Sequence, residues 1–85
     1  MSMYRIEIKN QAKKEIQSLP KKDQLRIIEA LHLLQHNPLA GKKLAGEYEG
    51  ARSLRIWPYR IIYTIYREVL TVVVLRVSHR KNVYR

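Results

Sequence analysis

Residues 51–77 read "ARSLRIWPYRIIYTIYREVLTVVVLRV", and the period of this stretch decides the fold. Side chains on a β-strand alternate between two faces. In "ARSLRIW" that alternation sets Leu54 and Ile56 on one face and Ser53, Arg55 and Trp57 on the other. Pro58 makes a tight corner after Trp57. "YRIIYTIY" then sets Tyr59, Ile61, Tyr63 and Ile65 against Arg60, Ile62, Thr64 and Tyr66. "RE" at 67–68 turns the chain back into "VLTVVVLRV", where parity groups Arg76 with Val72 and Val74. Three consecutive strands joined by short turns make an antiparallel meander.

Before the meander, "MYRIEIK" alternates as a half-buried strand, with Tyr4, Ile6 and Ile8 facing one way. Asn10 is a candidate cap for a short helix, "QAKKEIQSL", with Ala12, Ile16 and Leu19 at helical spacing. Pro20 suits the first turn of a second helix, residues 20–36, whose apolar stripe is Leu25, Ile28, Leu31 and Leu34 with Ile27 beside them. The short connection predicts a helical hairpin. "LAGKKLAGEYEG", with three glycines and no period, reads as a loop. The order βααβββ predicts an α+β fold: a two-helix hairpin packed on one face of a mainly antiparallel four-stranded sheet, as a single domain over residues 1–85. One sheet face is left without helices, and the arginines of the C-terminal half belong near it.

Composition narrows the function classes. The 85 residues include no cysteine, so no disulfide framework exists and a reducing cytoplasm is the expected compartment. No apolar run reaches membrane-spanning length, and the first residues hold no apolar leader core. The formal net charge is +10, unevenly distributed. Residues 1–50 carry nine basic and six acidic side chains, whereas residues 51–85 carry eight basic side chains, seven of them Arg, against Glu68 alone. Guanidinium groups fork onto phosphate oxygens and stack on bases. Nucleic acid is the first partner this implies, an acidic protein the second. The last ten residues, "RVSHRKNVYR", concentrate the pattern: Arg76, Arg80, Lys81 and Arg85 with one imidazole and one phenol.

A small basic βααβββ chain with "YRIIY" in its middle strand, "KLAGEYEGARSLRI" leading into the sheet and "HRKNVYR" after the last strand resembles the RelE toxins of the RelE/ParE superfamily. The resemblance runs nearly end to end. It implies the toxin of a type II toxin–antitoxin system: a metal-independent, cofactor-free mRNA endoribonuclease that enters the ribosomal A site, cleaves the bound codon and inhibits translation. It implies a co-encoded RelB-like antitoxin that wraps the toxin with an acidic or amphipathic helix, the free toxin being a monomer. Carried across, Arg60 matches the arginine that contacts the scissile phosphate. Arg80 matches the one that stabilises charge or protonates the leaving oxygen, and Tyr84 the tyrosine that stacks on or orients the nucleotide. Arg55 falls on the strand whose basic side chains face the site. Some members place a lysine pair there, one a proposed base. Here only Arg52 and Arg55 stand nearby, and arginine stays protonated, so His79 becomes the candidate base. Arg52, Arg76, Lys81 and Arg85 are further RNA-binding candidates.

Such a reaction needs little from the protein. A ribose 2′-OH attacks its own 3′-phosphate, giving a 2′,3′-cyclic phosphate and a 5′-OH, so alignment and charge stabilisation suffice. Blander readings stand beside these. His32 and His36, four apart on a helix, have metal-ligand spacing without an evident third ligand and read as a solvent-facing helix end. Trp57 is either an exposed stacking platform or, as is commoner for a hairpin Trp beside Pro, a packing anchor. Tyr59, Tyr63 and Tyr66 read as core and edge aromatics, and Lys13, Lys14, Lys21 and Lys22 as solvated helix faces. Two other functions remain open: a ParE-like toxin that inhibits DNA gyrase without cutting RNA, and a plain nucleic-acid-binding module.

Overall fold

The computed structural model describes residues 3–80. The site expectations for Lys81, Tyr84 and Arg85 lie outside the described residues.

Strands β1 (Arg5–Ile8), β2 (Lys42–Lys43), β3 (Arg52–Ile56), β4 (Tyr59–Tyr66) and β5 (Thr71–His79) form one sheet in the order β1-β5-β4-β3-β2. Helices α1 (Asn10–Gln17) and α2 (Lys21–His36) follow β1. The expected meander is β3-β4-β5, and β1 joins β5 in parallel, Ile6 opposite Val72. The fifth strand was not foreseen. Within the predicted loop, Lys42 and Lys43 pair antiparallel with Ser53 and Arg52, and a two-residue strand is too short to show a period.

The helices cover the face that carries Tyr59, Ile61 and Tyr63 of β4 and Val72, Val74 and Val77 of β5. From α1 and α2 the core receives Ala12, Ile27, Ala30, Leu31 and Leu34, all buried. The stripe on α2 is therefore rotated from the predicted one: Leu25 and Ile28 are 55% and 43% exposed. The inward set Ile27, Ala30, Leu31 and Leu34 keeps the same helical period, with Ala30 allowing close approach. Asn10 lies inside α1 and caps nothing; extended Lys9 precedes it, its N–H still bonded to Val74 O at 3.0 Å. Pro20 stands just before α2, where its carbonyl accepts the N–H groups of Asp23 and Gln24.

A β-bulge changes the parity of β5. Ile62 faces Arg76 while Tyr63 faces Val74, so Leu75 is the extra residue. Arg76 consequently shares the face of Ile62 rather than that of Val72 and Val74. The bulge also falls where β1 has ended and α1 takes over as the neighbour of β5. There Glu15 of α1 substitutes for a strand. One carboxylate oxygen accepts the Val77 N–H at 2.7 Å, and the other binds Arg76 through Nε at 2.8 Å and NH2 at 2.7 Å. The carboxylate holds the Arg76 guanidinium above its ordinary pKa.

The loop before β3 is tied to the sheet by a buried phenol. Tyr63 donates to Pro38 O at 2.7 Å and accepts the Gly41 N–H at 2.9 Å. A Cβ on Gly41 would come within 2.6 Å of that oxygen and 2.9 Å of Ser53 O, so only glycine fits this approach. Tyr59 and Tyr63 are core aromatics and Tyr66 is half exposed, as expected.

A candidate anion site at one end of the sheet

The register of the meander assembles the site. Arg55 and Arg60 are direct cross-strand partners on β3 and β4, and Arg60 in turn faces Ser78 on β5. Their parity is that of Ser53 and Ile62, which puts both guanidiniums on the face the helices leave open. Arg60 donates through NH1 to Ser53 Oγ at 3.3 Å. Arg80 arrives at the same end because its backbone N–H bonds to Pro58 O at 2.7 Å, extending the β4–β5 pairing past His79.

Trp57 stands among them. It is 52% exposed at the turn between β3 and β4. The guanidinium carbon of Arg80 lies 4.9 Å from the ring centroid and that of Arg55 lies 5.5 Å from it, inside the range of cation–π attraction. The packing-anchor expectation for Trp57 therefore fails: the ring projects and gathers cations. Its backbone is pinned from α2, where Arg26 NH2 donates to Trp57 O at 2.7 Å. Asp23 braces the same corner, 3.8 Å from Arg26 NH1 and accepting the Tyr59 hydroxyl at 2.7 Å. That hydrogen bond, together with burial, pushes the Tyr59 phenol above its ordinary pKa.

Like charges set opposite one another on a sheet repel, so Arg55 facing Arg60, with Arg80 sharing the Trp57 ring with Arg55, is an arrangement that favours a bound anion. Among the described residues, Arg26 pairs with Asp23 and Arg76 with Glu15.

The other candidates are placed elsewhere. His79 pairs with Tyr59 across β4 and β5, on the helix-covered side, its ring edge-on to the tyrosine at 5.6 Å and 87°. The strand thus turns His79 one way and Ser78 the other. Arg52 has the parity of Leu54 and Ile56 and spends its guanidinium on the carbonyls of Gly41 (2.7 Å) and Leu39 (3.5 Å). Arg76 is on the open face with its guanidinium held by Glu15. His32 and His36 are exposed on α2, and His32 Nδ1 is 3.1 Å from Gln35 Oε1. The brace from Asp23 and Arg26 was not foreseen, since nothing in a helical period shows which strand turn a helix start will meet. The exposure of Trp57 had a signal: it shares parity with Arg55 and occupies a two-residue turn.

The family model described as the ParE toxin of the type II toxin–antitoxin system parDE matches residues 6–84. Toxin RelG of Mycobacterium tuberculosis (strain H37Rv) is 37% identical over 84 residues, covering 96% of this chain and 97% of that protein. The crystal structure of the toxin–antitoxin complex RelBE2 from Mycobacterium tuberculosis contains a chain that is 36% identical, with a TM-score of 0.85 over 92% of this chain and 99% of that one. A chain of the archaeal RelE–RelB complex from Pyrococcus horikoshii OT3 is 28% identical, with a TM-score of 0.81 over 94% and 98%.

Proposed function

Because the chain belongs to the ParE toxin family of type II toxin–antitoxin systems, within the RelE/ParE superfamily, we propose that it is a ribosome-dependent mRNA endoribonuclease. It cleaves A-site codons by attack of a ribose 2′-OH on the adjoining phosphate and so inhibits translation. The observation that carries this reading is the convergence of Arg55, Arg60 and Arg80 on one face at one sheet end. Fixed guanidiniums suit the dianionic phosphorane better than the singly charged phosphodiester, so they lower the barrier and do more than bind. Arg60, half-buried and tethered to Ser53, meets the phosphate from the sheet. Arg80, exposed at the strand end, closes from beside Trp57 and can neutralise the charge on the departing 5′-oxygen.

His79 is the ordinary side chain for taking a proton near neutral pH. From its place beside Tyr59 it reaches the open face only by turning around the strand end. The geometry therefore supports clamping and in-line alignment more than a histidine base, with the 2′-OH proton leaving to water and the departing 5′-oxygen taking one from water.

Relatives of this chain have been crystallised with RelB-type antitoxins, which supports a cognate antitoxin here, acidic enough to meet the C-terminal half of the sequence. Primer extension on mRNA in a translating extract tests the function. Codon-spaced cuts that require ribosomes support it; intact mRNA under arrested growth removes it. The match to the ParE toxin family favours a second reading, in which the chain inhibits DNA gyrase without cutting RNA, and blocked supercoiling with uncut mRNA would establish that one.

A further inference from the structure

An indole that is half exposed yet held at its backbone and at its ring is an unusual use of a large apolar side chain. Trp57 is fixed through its backbone by Arg26 and through its ring by Arg55 and Arg80. Arg26 is itself oriented by Asp23, which also fastens Tyr59 at the start of the next strand. Fixing an exposed aromatic beside three guanidiniums provides, in advance of binding, the two surfaces that single-stranded nucleic acid presents: a flat base and a charged phosphate. Among the described residues the phosphate end is already accounted for by Arg60 and Arg80. We infer that Trp57 is a nucleobase-stacking residue of this site, held in position by Arg26 and Asp23 of α2.

The inference rests on the single-stranded RNA reading above and adds a residue that grips the base next to the cleaved phosphate. A base sliding onto the indole exchanges one cation–π contact for stacking and frees a guanidinium to close on the phosphate. Arg26 and Asp23 touch no nucleotide in this account; they are positioning residues.

Single-turnover cleavage on programmed ribosomes tests it, with Trp57→Ala, Trp57→Leu and Trp57→Tyr against mRNA carrying an abasic residue at each position of the A-site codon in turn. Loss of one stacked base corresponds to about 5- to 150-fold. Trp57→Ala and Trp57→Leu should lose that much, and Trp57→Tyr should keep most of the wild-type activity. At the stacked position the abasic residue should slow the wild type equally and slow Trp57→Ala no further. Additive losses at every position, or Trp57→Leu cutting as well as Trp57→Tyr, would overturn stacking. Trp57 is the one tryptophan of the chain, so its fluorescence anisotropy reports the brace: Arg26→Ala should lower it and add no loss on top of Trp57→Ala. Unchanged anisotropy and rate would remove Arg26 from the role. Wild-type cleavage without coupling defeats this inference alone, whereas a wild type that cuts no ribosome-bound mRNA defeats the nuclease reading and takes this inference with it.

Discussion

Arg55 and Arg60 sit directly opposite one another on β3 and β4, two guanidiniums on the same open face. Like charges facing each other across strands repel, and an anion held between them relieves that repulsion. Arg60→Ala and Arg80→Ala should each lower single-turnover cleavage by about 10²–10³, the scale for one lost charge-stabilising donor. Thermal melts should show the sign that marks a functional charge in Arg55→Ala, as stable as the wild type or slightly more so, with Arg60→Ala melted beside it. Inorganic phosphate should raise the melting temperature of the wild type more than that of either variant. Wild-type cleavage by Arg60→Ala and Arg80→Ala together would move the active site off this face.

Glu15 carries the opposite expectation. Its carboxylate takes the Val77 N–H and both near nitrogens of Arg76, so Glu15→Ala leaves a backbone donor and a half-buried guanidinium without their acceptor. The Glu15 side chain is 17% exposed and that of Arg76 36%, so water makes good part of the loss. A destabilisation of about 2–3 kcal/mol follows from the size of charged hydrogen bonds, readable as a shifted urea midpoint. Arg76→Ala should destabilise less, because the carboxylate keeps Val77. If Arg76→Ala instead weakens mRNA cleavage with no loss of stability, Arg76 is an RNA contact after all.

Both central tyrosines have raised pKa values, Tyr59 through its hydrogen bond to Asp23 and Tyr63 through burial. A phenol whose folded pKa exceeds its unfolded value of about 10 favours the folded state while it is neutral. That stability is fully present below pH 10 and is lost as pH rises through the folded pKa. Alkaline unfolding above pH 10 should therefore be steep. Tyr59→Phe should flatten it and remove one late step from the spectrophotometric phenolate titration. An alkaline limb identical in Tyr59→Phe and wild type would show that Tyr59 titrates as a free phenol.

The alternation of β1, β3 and β4 was plain in the sequence, because each has a single register with apolar residues on one side. Those three strands and the two helices sufficed for the fold, and the alternation also turned Arg55 away from Leu54 and Ile56, though it could not show that Arg60 stands opposite it. The bulge at Leu75 was not legible: "TVVVLRV" is apolar on both faces, so an extra residue leaves no break in pattern, and Arg76 was grouped with Val72 and Val74 instead of with Ile62. The same strand hid the orientation of His79, which follows the bulge. Leu25 and Ile28 looked like core because a stripe on a helix can be drawn from any of its apolar residues, and the sheet chose the line through Ala30. The corner at Trp57 depended on α2 meeting the β3–β4 turn, a tertiary contact with no local trace.

His79 gives the last test. It faces Tyr59 across the strands, ring edge to ring at 5.6 Å, on the side away from the arginines. An aromatic pair of this kind contributes about 0.5–1.5 kcal/mol, so the part its position assigns it is to fix the end of β5 from which Arg80 emerges. His79→Gln should then cleave at close to the wild-type rate once the protein is folded, with an unchanged pH profile, while its melting temperature falls. His79→Phe should recover the melting temperature by restoring the aromatic contact and should cleave as well. The competing outcome is specific. A loss of about 10²–10⁴ in both His79→Gln and His79→Phe, the range for a missing general base, accompanied by loss of a step in the pH–rate profile, would bring the imidazole into the reaction. It would mean that ribosome-bound mRNA draws His79 around the strand end, away from Tyr59. Tyr59→Phe and Tyr59→Leu would then be expected to alter cleavage unequally, since only one of them keeps a ring for His79 to leave.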